Sequence, residues 1–229
     1  MIFQDPFIVK GEIIFMNQKE KDEYIAEEFD KVAKGYDRSL IVKSYQRRTQ
    51  ILTIKRMQIK KGMNILDLGC GTGAGTIDIA LKLKGTGKVI GLDLSGKMIE
   101  QARKKLTNIK YDNVKFKVGS AISLDYNNYF DYVFSTNAFH HFKDKGNIFL
   151  KVKKALKVQG VFIVQDICDD YFLMNVLDFM GKIGEKAHVG STTSQKLKDL
   201  FLATDFLNIK VNRIKLNWFW GIMIGEGMK

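Results

Sequence analysis

Two aspartates and a run of glycines form the part of this sequence best suited to hold a ligand. Asp67 interrupts the apolar run Ile65–Leu68, and glycines follow at positions 69, 71, 73 and 75 before a helical pattern begins. Glycine permits positive φ and a close approach of the backbone to a ligand, and a helix start offers unpaired N–H groups. Asp93 ends the next apolar run, 20 residues after Gly73, a spacing at which a carboxylate can take ribose hydroxyls. We therefore predict a nucleoside site at this turn.

The spacing does not by itself distinguish NAD from S-adenosylmethionine, because both carry an adenosine ribose. Asp67 favours the second ligand, since a carboxylate just before the turn suits a cationic amino-acid end better than an anionic pyrophosphate. A glycine-rich turn with no ligand is the simpler alternative, and the presence of Asp93 argues against it.

Polar residues that could act in catalysis follow the next two predicted strands. His140 and His141 come after a strand expected near residues 131–136. A neutral imidazole, with an ordinary pKa near 6.5, can accept a proton at neutral pH. Adjacent side chains should point apart, so we expect one base and one structural histidine. In the alternative, both histidines only cap the next helix or stack under the N-terminal helices.

Three aspartates, at positions 166, 169 and 170, follow a strand expected near residues 160–166. A hard cation needs several converging oxygens, and loop aspartates are more often solvated or capping, so we predict no metal.

The periodicity of apolar residues predicts that strands and helices alternate along the chain. Helices are expected near residues 19–34, 40–58, 75–84, 96–107, 144–157 and 193–203, and strands near 65–68, 88–93, 113–118, 131–136 and 160–166. Residues 208–225 read as two long strands, with Trp218 and Trp220 alternating on the last. Such alternation predicts an α/β fold with right-handed crossovers and ligands beyond the carboxyl ends of the strands.

The runs LDLGCGTGAGT, VIGLDLS and FDYVFSTNAFHHF resemble the class I S-adenosylmethionine-dependent methyltransferases, in particular the ubiquinone/menaquinone-biosynthesis type that acts on small molecules. The resemblance covers residues 24–165 well and the C-terminal third loosely. It implies a Rossmann-like, doubly wound seven-stranded sheet, mostly parallel with an antiparallel last strand, plus an N-terminal helical lid. It also implies S-adenosyl-L-methionine as cofactor.

The resemblance assigns cofactor-binding roles to specific positions. The family pattern FDxxAxxYD matches residues 29–37 and implies that Tyr36 reaches the methionine end; packing at a helix end is the alternative. Ser120 replaces the acidic residue that usually binds the adenine amino group, so either its hydroxyl or the N–H of Ala121 would serve. Asn137 would shape the amino end through its backbone. The full cofactor set is Tyr36, Asp67, Gly69, Cys70, Gly71, Thr72, Gly73, Asp93, Leu94, Met98, Ser120, Ala121 and Asn137.

Leu94 and Met98 are expected to form an apolar slot for the adenine ring, with plain core packing as the alternative for Met98. Relatives often turn the second histidine of such a pair towards the active site, so His141 is the predicted catalytic base. The methyl group would pass by SN2 displacement to a small apolar or aromatic acceptor, at carbon, oxygen, nitrogen or sulfur. A tRNA or rRNA methyltransferase and a non-catalytic cofactor-binding protein are the alternatives.

Composition sets the cellular context. The formal net charge is +12, but only six of the 37 basic residues are arginine and the lysines are scattered, which favours solvated surfaces over a nucleic-acid footprint. An NPPY-like motif of exocyclic-amine methylation is absent after the fourth strand.

No apolar run approaches the ~18 residues of a membrane span. Cys70 and Cys168 have no ligand spacing, and a cytoplasmic setting fits them.

We predict a single methyltransferase domain over residues 1–229. Its lid would span about residues 17–60, and an apolar, substrate-covering insertion about residues 168–192. Residues 1–15 have no clear place in this fold, and because a helix-like segment starts at Met16, translation could begin there. The sequence does not identify the acceptor or the oligomeric state.

Overall fold

The computed structural model describes residues 7–9, 12–14, 17–107, 110, 112–170, 192–216 and 221–229. Its strands within these ranges are β1 (Phe7–Val9), β2 (Glu12–Ile14), β3 (Asn64–Leu68), β4 (Lys88–Asp93), β5 (Val114–Val118), β6 (Phe130–Thr136), β7 (Leu156–Ile167), β8 (Leu207–Lys215) and β9 (Gly221–Met228). The main sheet has seven strands in the order β5-β4-β3-β6-β7-β9-β8. Neighbours are parallel except that β9 runs antiparallel to both β7 and β8. The predicted fold class, including the reversed last strand, is confirmed.

The helices that connect and cover these strands are α1 (Gln18–Val32), α2 (Leu40–Ile54), α3 (Ala74–Leu83), α4 (Gly96–Leu106), α5 (Lys145–Ala155) and α6 (Ser194–Ala203). Side chains mark several starts: Asn17 forms a capping box with Glu20, and Ser95 caps α4. Helix α2 ends at Ile54, not near residue 58 as expected. The N–H of Met57 bonds to the carbonyl of Ile54, so the chain tightens into a three-residue turn there.

Apolar cores lie on both faces of the sheet, because side chains alternate along each strand. On one face α5 and α6 contribute to a cluster of phenylalanines in which Phe149 lies 5.0 Å from Phe162 and 4.9 Å from Phe201 between ring centroids. On the other face Ile65 and Phe134 pack with residues of α3 and α4. Because β3 runs parallel to both β4 and β6, the carboxyl ends of these three strands meet at one edge of the sheet.

The N-terminal residues form an element that the sequence did not predict. Strands β1 and β2 pair antiparallel with each other, apart from the main sheet. Most of the predicted insertion, residues 171–191, lies outside the described residues, as do Trp218 and Trp220; its two ends meet in a bridge between Cys168 and Thr192. Among the helices of the described ranges, none has the length and apolar character needed to cross a membrane.

Candidate functional site

The glycine turn between β3 and α3 is fixed to the neighbouring strand. The N–H groups of Gly69 and Cys70 both donate to the carbonyl of Leu92 on β4, at 2.8 and 3.1 Å. Gly69, Gly71 and Gly73 have φ values of 73°, 52° and 81°, a region that favours glycine. The turn can therefore bend sharply and bring its backbone up to a ligand.

The three glycines face different surroundings. A Cβ on Gly69 would lie 2.4 Å from the Cβ of Ala138, and a Cβ on Gly73 would lie 2.4 Å from the Phe116 ring. A Cβ on Gly71 would meet no atom within 4 Å. Gly71 thus borders open space, whereas the other two permit close packing within the fold.

Asp93 is held at the end of β4 by backbone N–H groups. Its Oδ2 accepts from Gly71 N–H at 2.8 Å and its Oδ1 accepts from Ser95 N–H at 2.9 Å. Burial raises the pKa of Asp93, and these two N–H donors oppose that rise. Each oxygen retains a lone pair for another donor, such as a ribose hydroxyl.

Asp67 is 3% exposed on β3 and accepts one side-chain bond, from Thr76 Oγ1 at 2.7 Å. Burial raises the pKa of Asp67 to about 7, the Thr76 hydroxyl lowers it, and the charge of Asp93 adds to the rise. A positively charged group arriving beside Asp67 would favour the carboxylate form.

Two adjoining cavities contain most of the predicted site residues. The first is lined by Asp93, Leu94, Met98, Ser120, Ala121 and His141. The second is lined by Asp67, Cys70 and Thr72. Both cavities are bordered by Tyr36, Gly69, Gly71 and Asn137. Gly73 borders neither cavity, in keeping with its position against Phe116.

The two histidines lie in a short 3-10 turn, Phe139–His141, after β6. We expected their side chains to point apart, and this was wrong: the tight turn brings the ring centroids to 3.9 Å, at 48°. His141 nevertheless borders the first cavity, while the Nδ1 of His140 lies 2.8 Å from Asp166 Oδ1. The His141 ring also forms a T-shaped contact with Phe29 of α1, with centroids 4.9 Å apart.

Helix α1 and the turn that follows it carry two acidic residues, Asp30 and Asp37, that bond to elements around the site and that were not among the residues predicted for it. Asp30 accepts from Ser95 Oγ and from Lys97 N–H at the start of α4. Asp37 accepts from Thr72 Oγ1 at 3.0 Å and from Lys105 Nζ at 2.7 Å. Both aspartates stand in the FDxxAxxYD pattern, so that motif carried a signal for them.

Asn137 and Tyr36 are also tied to α2. Asn137 Nδ2 donates to Thr49 Oγ1 at 2.8 Å, and Gln46 Nε2 donates to the Tyr36 hydroxyl at 2.9 Å. The junction between the two cavities is therefore built from the glycine turn, the end of β6 and the N-terminal helices together.

The aspartates at and after the end of β7 separate in the fold. Asp166 bonds to His140, whereas Asp170 accepts from the Ser194 side chain at the start of α6. Throughout the described ranges, no three His, Cys, Asp or Glu side chains come together as a metal site would require.

A mostly parallel seven-stranded sheet with a reversed last strand, a glycine turn and a carboxylate at each of two neighbouring strand ends define the Rossmann-like fold of class I methyltransferases. Solved structures share this fold. The SeMet Haemonchus contortus phosphoethanolamine N-methyltransferase 2 in complex with S-adenosyl-L-methionine superposes with a TM-score of 0.74 at 16% identity, covering 95% of this chain and 62% of that longer one. The YcgJ protein from Bacillus subtilis gives 0.67 at 20% identity, covering 80% and 98%.

Sequence comparison identifies the family. A family model described as "Methyltransferase domain" matches residues 59–205, and the chain belongs to that family. Curated relatives include the demethylmenaquinone methyltransferases of Lactococcus lactis, 29% identical over 74% of this chain and 72% of the relative, and of Anoxybacillus flavithermus, 27% identical over 85% and 92%. The resemblance to S-adenosylmethionine-dependent methyltransferases of the ubiquinone/menaquinone type is confirmed, and with it the enzyme class.

Proposed function

We propose that this enzyme transfers the methyl group of S-adenosyl-L-methionine to a reduced quinone, a small aromatic acceptor that carries phenolic hydroxyls. The acceptor class is suggested by the relatives, which are named demethylmenaquinone methyltransferases. The observation that carries the cofactor assignment is the meeting of two cavities at one glycine turn, each lined by a carboxylate, Asp93 in the first and Asp67 in the second.

In this proposal the first cavity takes the adenosine. Asp93 accepts from the ribose hydroxyls, because both of its oxygens are oriented by backbone N–H groups and keep lone pairs free for the sugar. Leu94 and Met98 flank the adenine ring, and Ser120 with Ala121 borders its polar edge.

The second cavity takes the methionine end. Asp67 faces the ammonium group, and Cys70 and Thr72 border the aliphatic part and the carboxylate. The sulfonium then lies at the shared border, next to Tyr36, Gly69, Gly71 and Asn137. Gly71 leaves room there for the ligand, since a side chain at that position would project into open space.

His141 acts as the general base. Methyl transfer from a sulfonium has a good leaving group already, so the protein has to align the nucleophile and remove its proton. His141 borders the first cavity, and removal of an acceptor hydroxyl proton by its imidazole would make the quinol ring nucleophilic. A ring carbon would then take the methyl group as S-adenosylhomocysteine leaves, and loss of the proton on that carbon to solvent would restore the aromatic ring, with the imidazolium returning its proton to the phenolate oxygen.

The remaining assignments concern architecture and setting. We propose that the chain works as one methyltransferase domain in which residues 17–60 form the lid and residues 168–192 cover the acceptor. Asp30 and Asp37 support the lid assignment, since they join it to α4 and to the glycine turn. Cys70 and Cys168 are free thiols, which supports a reducing, cytoplasmic setting.

The test is incubation with methyl-labelled S-adenosylmethionine and either a short-chain demethylated menaquinone, chemically reduced, or bulk tRNA. We expect label in the quinol fraction and none in RNA. Label in RNA alone would overturn the acceptor class, and the absence of transfer to any acceptor would favour a binding protein.

The base assignment has its own test. His141→Gln should lower kcat by about 100-fold, the lower range for loss of a general base, and leave the affinity for S-adenosylhomocysteine within twofold. A variant with undiminished turnover would remove His141 from the mechanism.

A further inference from the structure

The other histidine of the pair is attached to a carboxylate that the proposed reaction does not use. Asp166, 1% exposed at the end of β7, accepts from the backbone N–H of His140 at 2.7 Å through Oδ2. Its Oδ1 lies 2.8 Å from His140 Nδ1 and accepts from Ile167 N–H at 2.7 Å. One buried side chain therefore fixes both the backbone and the ring of His140.

A carboxylate that bonds Nδ1 also selects a tautomer. Because an ionised carboxylate accepts only, the proton of a neutral His140 ring resides on Nδ1 and the lone pair on Nε2. The ring can neither flip nor rotate without breaking this bond in a buried place, where an unpaired acceptor is costly.

His140 in turn determines where the neighbouring ring can lie. The His141 ring contacts two other rings: that of His140, with centroids 3.9 Å apart, and that of Phe29, with centroids 4.9 Å apart in a T-shaped arrangement. The turn is three residues long and is closed by the bonds His141 N–H to Ala138 and Phe142 N–H to Phe139. The His140 ring, which Asp166 fixes, is therefore a defined surface against which the His141 ring packs.

We propose that Asp166 is a positioning residue for methyl transfer: by anchoring His140, it holds the His141 imidazole in the orientation that reaches the acceptor hydroxyl. This proposal rests on the role of His141 as the base. A general base has to lie within hydrogen-bond reach of the proton it removes, and a misplacement of about 1 Å can cost up to 100-fold in rate.

The experiment is a double-mutant cycle between Asp166→Asn and His141→Gln, read in kcat with labelled S-adenosylmethionine and the reduced quinone. Asp166→Asn preserves shape but replaces one acceptor oxygen with an amide donor facing an N–H group. We expect kcat to fall about tenfold, with the KM for the acceptor and the affinity for S-adenosylhomocysteine within twofold. In the His141→Gln background the same change should have no further effect on kcat, because the residue acts through His141.

Asp144→Asn is the matched control. Asp144 lies just beyond the same turn and also accepts a backbone N–H, from Asn147, but it caps α5 and is exposed. The Asp144→Asn substitution should leave kcat unchanged. If Asp166→Asn does not fold, His140→Phe, which keeps a ring but loses the Nδ1 bond, replaces it in the cycle with the same expectations.

The outcomes separate the two proposals. If His141→Gln is slow but Asp166→Asn has normal kcat, or if the two effects simply multiply, the positioning role is wrong and the base assignment stands. If His141→Gln turns over normally, the base assignment fails and the positioning role falls with it.

Discussion

Asp67 and Asp93 lie near the carboxyl ends of adjacent strands, yet their environments differ. Asp93 accepts two backbone N–H bonds, which favour its charged form before any ligand arrives. Asp67 accepts from the Thr76 hydroxyl, and a hydrogen bond from the Thr76 backbone lowers its pKa to a smaller extent. Among the described residues no lysine or arginine forms a salt bridge with Asp67. Its pKa rises to about 7 through burial. One carboxylate is thus oriented by the protein, and in our proposal a positive charge on the ligand provides the partner of the other.

This difference implies different sensitivities. A carboxylate oriented by the backbone makes directed hydrogen bonds to neutral hydroxyls. A buried carboxyl with a pKa near 7 interacts with a cation only when ionised, so its contribution should depend on pH.

The largest effect is expected for Asp93→Asn. The substitution removes the charge that the ribose hydroxyls would contact and places an amide against the N–H of Gly71 or Ser95. Loss of two hydrogen bonds to a charged acceptor amounts to about 3 kcal/mol, so calorimetry should show S-adenosylhomocysteine binding about 100-fold weaker.

Asp131→Asn is the control for that change. Asp131 also accepts a backbone N–H, from Asn64 at 2.7 Å, and bonds Lys157, but it stands at the opposite end of the strands. The cofactor affinity of the Asp131→Asn variant should match that of the unmodified enzyme. Equal affinities in all three proteins would contradict the ribose assignment.

The second effect concerns the turn that joins the two carboxylates. Gly71→Ala and Gly73→Ala form a matched pair, because both add a methyl group at positive φ, at a strain of about 1–2 kcal/mol. At Gly71 the methyl enters open space at the border of both cavities, whereas at Gly73 it meets Phe116 at 2.4 Å. We expect Gly71→Ala to weaken S-adenosylhomocysteine binding at least about tenfold, and Gly73→Ala to lower the melting temperature more than Gly71→Ala does.

The contrast between the two variants is the decisive measurement. If Gly73→Ala weakens binding while melting normally, and Gly71→Ala binds normally, the assignment of the two glycines is reversed. Thermal denaturation and calorimetry on the same samples distinguish these cases.

The glycines also show what the sequence could and could not predict. The turn, its flanking strand and helix, and the acidic residue on β4 were predicted because apolar periodicity and glycine spacing are local signals. The division of roles among Gly69, Gly71 and Gly73 was not, because it depends on Ala138 and Phe116, which come from other strands and loops.

The same reasoning applies to the histidines and to the N-terminal helices. Their residue types suggested a base near the end of β6, and His141 does border the first cavity. The contact between the two rings and the bond from His140 to Asp166, 26 residues away, depend on how β6 and β7 pair in the sheet. Asp30 bonds Ser95 across 65 residues, a contact that spacing alone cannot specify.

The smallest effect is expected for Asp67→Asn, and its pH dependence is the informative part. The neutral amide keeps an acceptor for Thr76 but loses the charge, so at pH 8 cofactor affinity should fall about fivefold, or roughly 1 kcal/mol. In the unmodified enzyme Asp67 is protonated below its pKa of about 7, so affinity should decline as pH falls from 8 to 6 and meet that of the variant. A second variant, Thr76→Val, removes the hydroxyl that lowers this pKa and should move the midpoint to higher pH.

The effect of Asp67 on folding stability should change with pH in the opposite direction to its effect on cofactor affinity. Because burial raises the pKa of Asp67 above its ordinary value of 3.8, the folded protein binds a proton that the unfolded chain releases between about pH 4 and pH 7. This contribution to stability is present below pH 4 and is lost as pH rises through 7, where the buried charge has to be carried without a ligand. Asp67→Asn should therefore raise the melting temperature of the cofactor-free enzyme at pH 8 and have less effect at pH 5. If the unmodified enzyme binds S-adenosylhomocysteine equally at pH 6 and pH 8, and Asp67→Asn is no more stable than that enzyme at pH 8, then Asp67 is already paired and the distinction between the two carboxylates is removed.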